Sequence, residues 1–335
     1  MECNRRVPPD RVLSSFSNYV IGMMATSIPA VLSAITNASL RGLGKAQASS
    51  YIAIGSAILN VILVSLLANQ AGLALTGLVY ANAISSTSAL LVSTFLLFHS
   101  KSLGNIPSFN FCMSHYLMLR YVGIPVFASY CLIFISTFFY NRIVSSFGEQ
   151  VLAGFGVGYR IQTMVILPGM AIGSAIGIII NHNLADALRH RAYEGFRKGM
   201  LHSYFLYLCI AGVLWIWKEP MVSLLIADPL ASMEAVRYLH IVAGSFILMG
   251  PMLTVLLTKE QTGQGFRALL LNALYFVLII GIGWILTSIT GKVESFYWCI
   301  FGVNLAGVLV IIPTFRMYRT KFTVSSQRNM SNHAL

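Results

Sequence analysis

Long stretches of this chain carry no charge, and their lengths match the thickness of a lipid bilayer. No Asp, Glu, Lys or Arg occurs in 12–40, 46–100, 121–141, 161–185, 199–217, 238–258, 268–291 or 295–315. An α-helix needs about 20 residues to cross the hydrocarbon core, where every backbone N–H and C=O must bond within its own segment. The window 46–100 is too long for one crossing and breaks at the polar turn Ala68-Asn69-Gln70-Ala71-Gly72. The pattern therefore predicts nine spans: 15–38, 49–68, 73–98, 121–145, 152–180, 200–217, 238–258, 268–288 and 296–314. The fold class that follows is an all-α polytopic membrane protein.

Composition leads to the same solvent. The 335 residues are 57% hydrophobic and 10% charged, against about 25% charged in soluble domains. A soluble fold of this length leaves too much surface facing water to hide that apolar fraction, so the surrounding medium is lipid. The segment 101–118 (Lys-Ser-Leu-Gly-Asn-Ile-Pro-Ser…) reads as a cytoplasmic linker. It divides three spans in 1–100 from six in 119–318, and 319–335 reads as a cytoplasmic tail.

The net charge of +12 would suit nucleic acid, but its placement assigns it to topology. Alternating the spans puts Arg41, Lys45, Arg120, Arg189, Arg191, Arg197, Lys198, Lys259, Arg267, Arg316 and Arg319 on one side, with Lys101, Lys321 and Arg328. The other side holds half as many: Arg5, Arg6, Arg11, Arg142, Lys218, Arg237 and Lys292. The richer side is expected to be cytoplasmic, which places the C-terminus inside and excludes nucleic acid as a partner. Three of the outer charges crowd into the first eleven residues, and Met1–Asp10 is polar with Pro8-Pro9, unlike a signal peptide. An odd span count with this start would follow if further helices lay upstream.

Enzyme chemistry finds little support. All ten carboxylates are expected in loops or at helix ends, which removes the paired acids of a magnesium-dependent membrane enzyme. No nucleophile–base pair or Gly-rich phosphate loop is visible. The five cysteines are scattered, with neither CxxC nor metal spacing. No metal and no cofactor are expected. Uncharged polarity and one cation remain inside the spans. Arg160, well within its span, either lines a cavity or snorkels outward. Tyr140 and Asn141 end the preceding span and can face it across a hairpin. Asn60, Asn82 and Asn304 either line a substrate path or join helices. Pro125, Pro168 and Pro251 are expected to kink their spans. An internal echo links Arg41-Gly42-Leu43-Gly44-Lys45, followed by Asn82, with Gly263-Gln264-Gly265-Phe266-Arg267, followed by Asn304. It reads as a parallel repeat with Gly44 matched to Gly265.

Several of these motifs occur together in one family. Gly123-Ile124-Pro125 opening a span resembles the multidrug and toxic compound extrusion (MATE) transporters. So does Phe147-Gly148-Glu149-Gln150-Val151-Leu152-Ala153-Gly154-Phe155-Gly156-Val157-Gly158-Tyr159-Arg160-Ile161. Asn183-Leu184 with Arg191-Ala192 resembles the loop that follows, and Asn60 resembles the family's fifth-helix Asn. The resemblance implies helices four to twelve of a twelve-helix fold: a partial N-lobe and a complete six-helix C-lobe.

It further implies a multi-pass plasma-membrane protein, most simply of a bacterial inner membrane. That protein would be a monomer exporting small amphipathic organic molecules by cation-coupled antiport with alternating access of two lobes. The coupling ion, proton or sodium, is implied by the resemblance only. The sequence departs from the family at Ala185-Asp186-Ala187, where the loop has Gly-Ala-Gly. It also departs at Val64 and near Ile133, where branches of the family carry an acid. A lipid-linked oligosaccharide flippase of the same superfamily, or a truncated remnant that transports nothing, would have a similar pattern.

Overall fold

The computed structural model describes residues 9–70, 72–99, 113–185 and 188–332, and these are almost entirely helical. Nine helical segments among them are long and apolar enough to cross a membrane: Phe16–Gly42, Ala46–Ala68, Ala74–Phe98, Leu119–Ser145, Glu149–Leu184, Arg189–Ile216, Pro229–Gln261, Gly265–Thr290 and Glu294–Thr320. Each overlaps an expected span; most run longer, Arg189–Ile216 beginning well before the expected 200, whereas Ala74–Phe98 starts one residue later than expected. Most of the expected linker lies outside the described residues, and its last part, Met113–Met118, is helical. Residues 319–332 of the expected tail continue the last helix. By their contacts the residues fall into two compact units, Met1–Asn110 and Phe111–Leu335.

The first unit holds α1 (Pro9–Gly42), α2 (Ala46–Val64) and α3 (Ala74–Phe98), with a π-helical turn at Ser65–Gln70. Lipid is as apolar as a leucine side chain, so helices here gain little by burying large apolar groups against one another. They associate through close packing and hydrogen bonds instead. Helix α3 accordingly buries only small residues, Gly77, Ala81, Ser85, Ala89 and Ser93, one every fourth position along a single face. Polar side chains complete the contact: Asn82 Nδ2 donates to Thr26 Oγ1 at 2.9 Å, Asn60 Nδ2 to Ser85 Oγ at 3.0 Å, and Thr36 bonds Ser93.

The second unit runs through α4 (Met113–Met118), α5 (Ile124–Ser145), α6 (Glu149–Ala185), α7 (Arg189–Ile216), α8 (Lys218–Ser223), α9 (Pro229–Val242), α10 (Phe246–Gln261), α11 (Gly265–Thr290), α12 (Glu294–Ala306) and α13 (Val308–Asn332). A π-helical turn at Leu119–Gly123 precedes α5, and one 3-10 turn, Ala243–Ser245, joins α9 to α10 into a single crossing. That crossing begins where Asp228 accepts from the Ala231 N–H at 2.9 Å and Pro229 occupies the first turn. It forms the centre of the unit: 72% of its most apolar stretch is buried, against 17–39% for the unit's other spans. Helix α6 lies against it along a ridge of Gly154, Gly158, Gly173 and Gly177, which meet Ala231, Tyr238, Leu257 and Gln261.

At Pro168 the α6 ladder is open, and α7 fills the gap. The Tyr207 hydroxyl donates to Val165 O at 2.5 Å and accepts from Gly169 N at 2.8 Å. These two backbone groups would bond each other in an uninterrupted helix, so the side chain is inserted into the ladder beside the proline.

The internal echo survives with a shifted register. The chain leaves both α1 and α10 through the same cap. Lys45 N bonds Leu40 O and Gly44 N bonds Arg41 O, while Gln264 N bonds Lys259 O and Gly263 N bonds Glu260 O. Gly44 and Gly263 each have φ of 78°, the left-handed conformation that such a cap requires. Gly44 therefore corresponds to Gly263, two positions from the match expected with Gly265, because the φ of the turn and not the Gly-x-Gly spelling sets the alignment. Asn82 and Asn304 are then one helical turn out of correspondence.

Candidate functional site

A cavity of about 100 Å³ lies inside the second unit among α5, α6, α10, α11 and α12. Helix α10 supplies one wall through Met249, Met252, Leu253, Leu256, Leu257 and Glu260. Their spacing of three and four residues keeps them on one face for three turns, and Glu260 ends that face. Ser129, Tyr130, Ile133 and Tyr140 come from α5; Tyr159, Gln162, Ile166 and Met170 come from α6. Asn272, Tyr275, Phe276 and Ile279 of α11 and Ile300 of α12 close it. Drug-sized ligands occupy pockets of about 300–1,000 Å³. One water needs roughly 10–15 Å³ of such space. The cavity is thus of a size for several waters or a small cation, not for an organic substrate.

Its polar groups are held in different ways. Gln162 is fixed: its Oε1 accepts from the Tyr238 hydroxyl and its Nε2 approaches the Met249 sulfur at 3.9 Å. Tyr275 donates to Asn304 Oδ1 at 2.8 Å, and Asn304 Nδ2 donates to Ser245 Oγ at 2.8 Å, a relay joining α11, α12 and the turn before α10. Tyr140 is 2% exposed, packs against the rings of Tyr159, Phe276 and Phe296, and leaves its hydroxyl without a hydrogen-bond partner. Glu260 is 8% exposed and makes no ion pair among the described residues. The neutral hydroxyl of Ser129 lies close enough to act on its carboxylate, although no hydrogen bond of good geometry satisfies Ser129 Oγ. An acid buried with hydroxyls and no cation is the type of group that exchanges a proton or holds a monovalent ion at membrane depth.

Of the six residues singled out in the sequence, Tyr140 lines this cavity, and Asn304 stands behind its wall, fully buried. Asn60 and Asn82 belong to the first unit, where each joins two helices. Asn141 and Arg160 are exposed on the second unit, and the aromatic ring facing Tyr140 across the hairpin is that of Tyr159. Sequence reasoning missed Glu260, together with Glu234. The latter is 6% exposed near the start of α9, accepts from Tyr297 at 2.8 Å and pairs with Arg237 at 3.0 Å. Both acids sit near the ends of the central crossing, where a charge normally reads as solvated. For Glu260 the signal was its register, eleven residues after Met249 on the same face.

Residues 125–285 match the MatE family. Over this segment, a little under half of its length, the chain is similar to that family. It is similar to a Bacillus subtilis (strain 168) protein named "Probable multidrug resistance protein YpnP", with 24% identity over 71% of this chain and 53% of the relative. A second protein of that organism, "Probable multidrug resistance protein YoeA", is 22% identical over 67% of this chain and 50% of its own length. The chain thus spans about half the length of the curated relatives it matches. The MATE fold extends further than the family segment. The Vibrio cholerae MATE transporter VcmN superposes with a TM-score of 0.82 at 17% identity, over 94% of this chain and 72% of that one.

Proposed function

We propose that this protein works as a MATE-type membrane transporter that exports small amphipathic organic molecules by cation-coupled antiport, its lobes alternating access. The observation that carries the coupling is the cavity in which Glu260 lies buried without a cationic partner among the described residues. Antiport needs a group whose charge or ion occupancy changes inside the lobe, and this acid, absent from the family positions near Val64 and Ile133, supplies one at another place. The cavity's volume of about 100 Å³ supports a coupling ion there, with the organic substrate held elsewhere. Among the polar residues expected on the substrate path, Asn141 and Arg160 have exposed side chains to offer. Asn60, Asn82 and Asn304 already use their amides between helices. The multi-pass chain would lie in a plasma membrane, a bacterial inner membrane in the simplest case, as a monomer with its C-terminus in the cytoplasm.

The test is flux of a fluorescent organic cation through proteoliposomes containing the full chain, with an imposed proton or sodium gradient. Gradient-dependent flux is expected for the wild type. Glu260→Gln should keep substrate exchange without a gradient and lose the gradient's effect. Flux equal to that of empty vesicles under every gradient would remove the transport reading. A Glu260→Gln variant still driven by the gradient would remove the coupling role alone.

A further inference from the structure

On the other side of α10 from the cavity, α7 and α13 border a groove of about 980 Å³ that the transport reading does not use. Helix α7 contributes His190, Tyr193, Arg197, Met200, Leu201 and Tyr204, all on one face, and α13 contributes Val308, Ile311, Ile312, Phe315, Arg316 and Arg319, again one face. Phe196 packs against Phe315 and Tyr318 with tilted rings, so the first turns of α7 meet the part of α13 that ends its membrane-crossing segment. The basic residues of both helices consequently gather at one end. The remainder, floored by Leu248 and Pro251 of α10, is apolar for roughly 10 Å along the axes, the rise of seven or so helical residues.

We infer that this groove binds an anionic phospholipid, its phosphate held by Arg197 and Arg316 and one acyl chain lying along Leu201, Ile311 and Ile312. Three observations point to that occupant. Among the described residues no carboxylate lines the groove; Glu194, nearby on α7, faces His190 at 3.9 Å. Arg197 and Arg316 are exposed and, among the described residues, neither guanidinium has a partner. Both lie near the ends of membrane-crossing segments, the depth of headgroups, with the apolar slot continuing toward the bilayer centre. Guanidinium forks match phosphate oxygens two at a time, and basic recesses between membrane helices collect anionic headgroups. A cationic substrate would be repelled here, and a free phosphate would leave the apolar slot unfilled.

The experiment is native mass spectrometry of the full purified chain, delipidated and then titrated with phosphatidylglycerol, phosphatidylcholine or inorganic phosphate. Selective retention of phosphatidylglycerol is expected, weakened by salt. An arginine at the membrane surface adds about fivefold to such affinity, so Arg197→Gln with Arg316→Gln should lower it roughly thirtyfold. Arg142→Gln, a cation away from the groove, should leave it unchanged. Ile312→Trp, which fills the slot without touching charge, should displace the lipid as well. Equal retention of phosphatidylcholine, binding of inorganic phosphate, or an unchanged affinity in the double variant would each overturn the site. None of these outcomes depends on whether the protein transports.

Discussion

The tightest point of the second unit is the contact of Gly250 with Tyr207, and it makes a quantitative prediction. A Cβ added to Gly250 would stand 2.1 Å from Cγ and Cδ2 of the Tyr207 ring. The ring cannot retreat cheaply, because its hydroxyl is inserted between Val165 O and Gly169 N and the side chain is fully buried. Gly250→Ala therefore has to push α7 from α10 or pull the hydroxyl out of α6. Overpacking of this kind costs about 1–3 kcal/mol. Withdrawing the hydroxyl leaves two backbone groups beside Pro168 to rebond or stay unpaired, at about 1–3 kcal/mol for each one left unpaired. Whichever route is taken, a cost of about 1–3 kcal/mol is expected. Tyr207→Phe isolates the second part and should cost about 1–3 kcal/mol. Tyr204→Phe, on the same helix but 42% exposed, should cost almost nothing. The assay is reversible unfolding of the purified chain in mixed detergent–SDS micelles, followed by tryptophan fluorescence. Gly250→Ala within about 0.5 kcal/mol of the wild type, or Tyr207→Phe indistinguishable from Tyr204→Phe, would refute the wedge.

The same assay reaches other parts of the molecule. Asn304→Ala breaks bonds to both Tyr275 and Ser245, and with interhelical hydrogen bonds averaging about 0.6 kcal/mol and reaching about 1.7 it should cost about 1–3 kcal/mol. Asn82→Ala, which loses the bond to Thr26 and only a weak 4.0 Å contact with the Met23 sulfur, should cost less than half as much. Gly44→Ala and Gly263→Ala, each forced to a left-handed backbone, should lose about 1–2 kcal/mol. Gly156→Ala, with open space around its Cβ and a helical backbone, should be neutral or stabilising by up to about 1 kcal/mol.

The number and position of the crossings were legible because the rule behind them is local: a charge inside the hydrocarbon is costly, so uncharged windows of the right length must be spans. Which crossing is central was not legible. In a soluble protein the buried face of a helix announces itself by an apolar stripe, but a membrane helix is apolar on every side. Pro229–Gln261, at the core of its unit, reads no differently from Gly265–Thr290, which is largely exposed. The signal that does exist is smallness at every fourth position, as along Gly77, Ala81, Ser85, Ala89 and Ser93, or in the glycine ridge of α6. Such a stripe says that a helix is packed closely, and not against which partner.

Glu260 shows the same limit from the side of function. A charge within a turn of a Gly cap at the end of a span is ordinarily solvated, and Arg41, at the equivalent position of the first unit, is exposed apart from its bond to Ser49. The two caps have the same backbone, so the difference between them is made elsewhere. Helix α11 begins at Gly265, whose Cβ position lies 3.0 Å from Tyr121 O and 3.2 Å from the Pro125 ring. The absence of a side chain there lets α11 close against the start of α5 and bring Ser129 over Glu260. A residue that read as loop chemistry is in this way enclosed by a glycine five positions later and a Gly-x-Pro turn more than a hundred positions earlier. Gly265→Val, which touches neither Glu260 nor the cavity wall, should therefore open the site to water. Reaction of Glu260 with a water-soluble carbodiimide, read by peptide mass, is expected to rise in that variant. An unchanged rate would mean that the acid is sheltered by something other than this close approach.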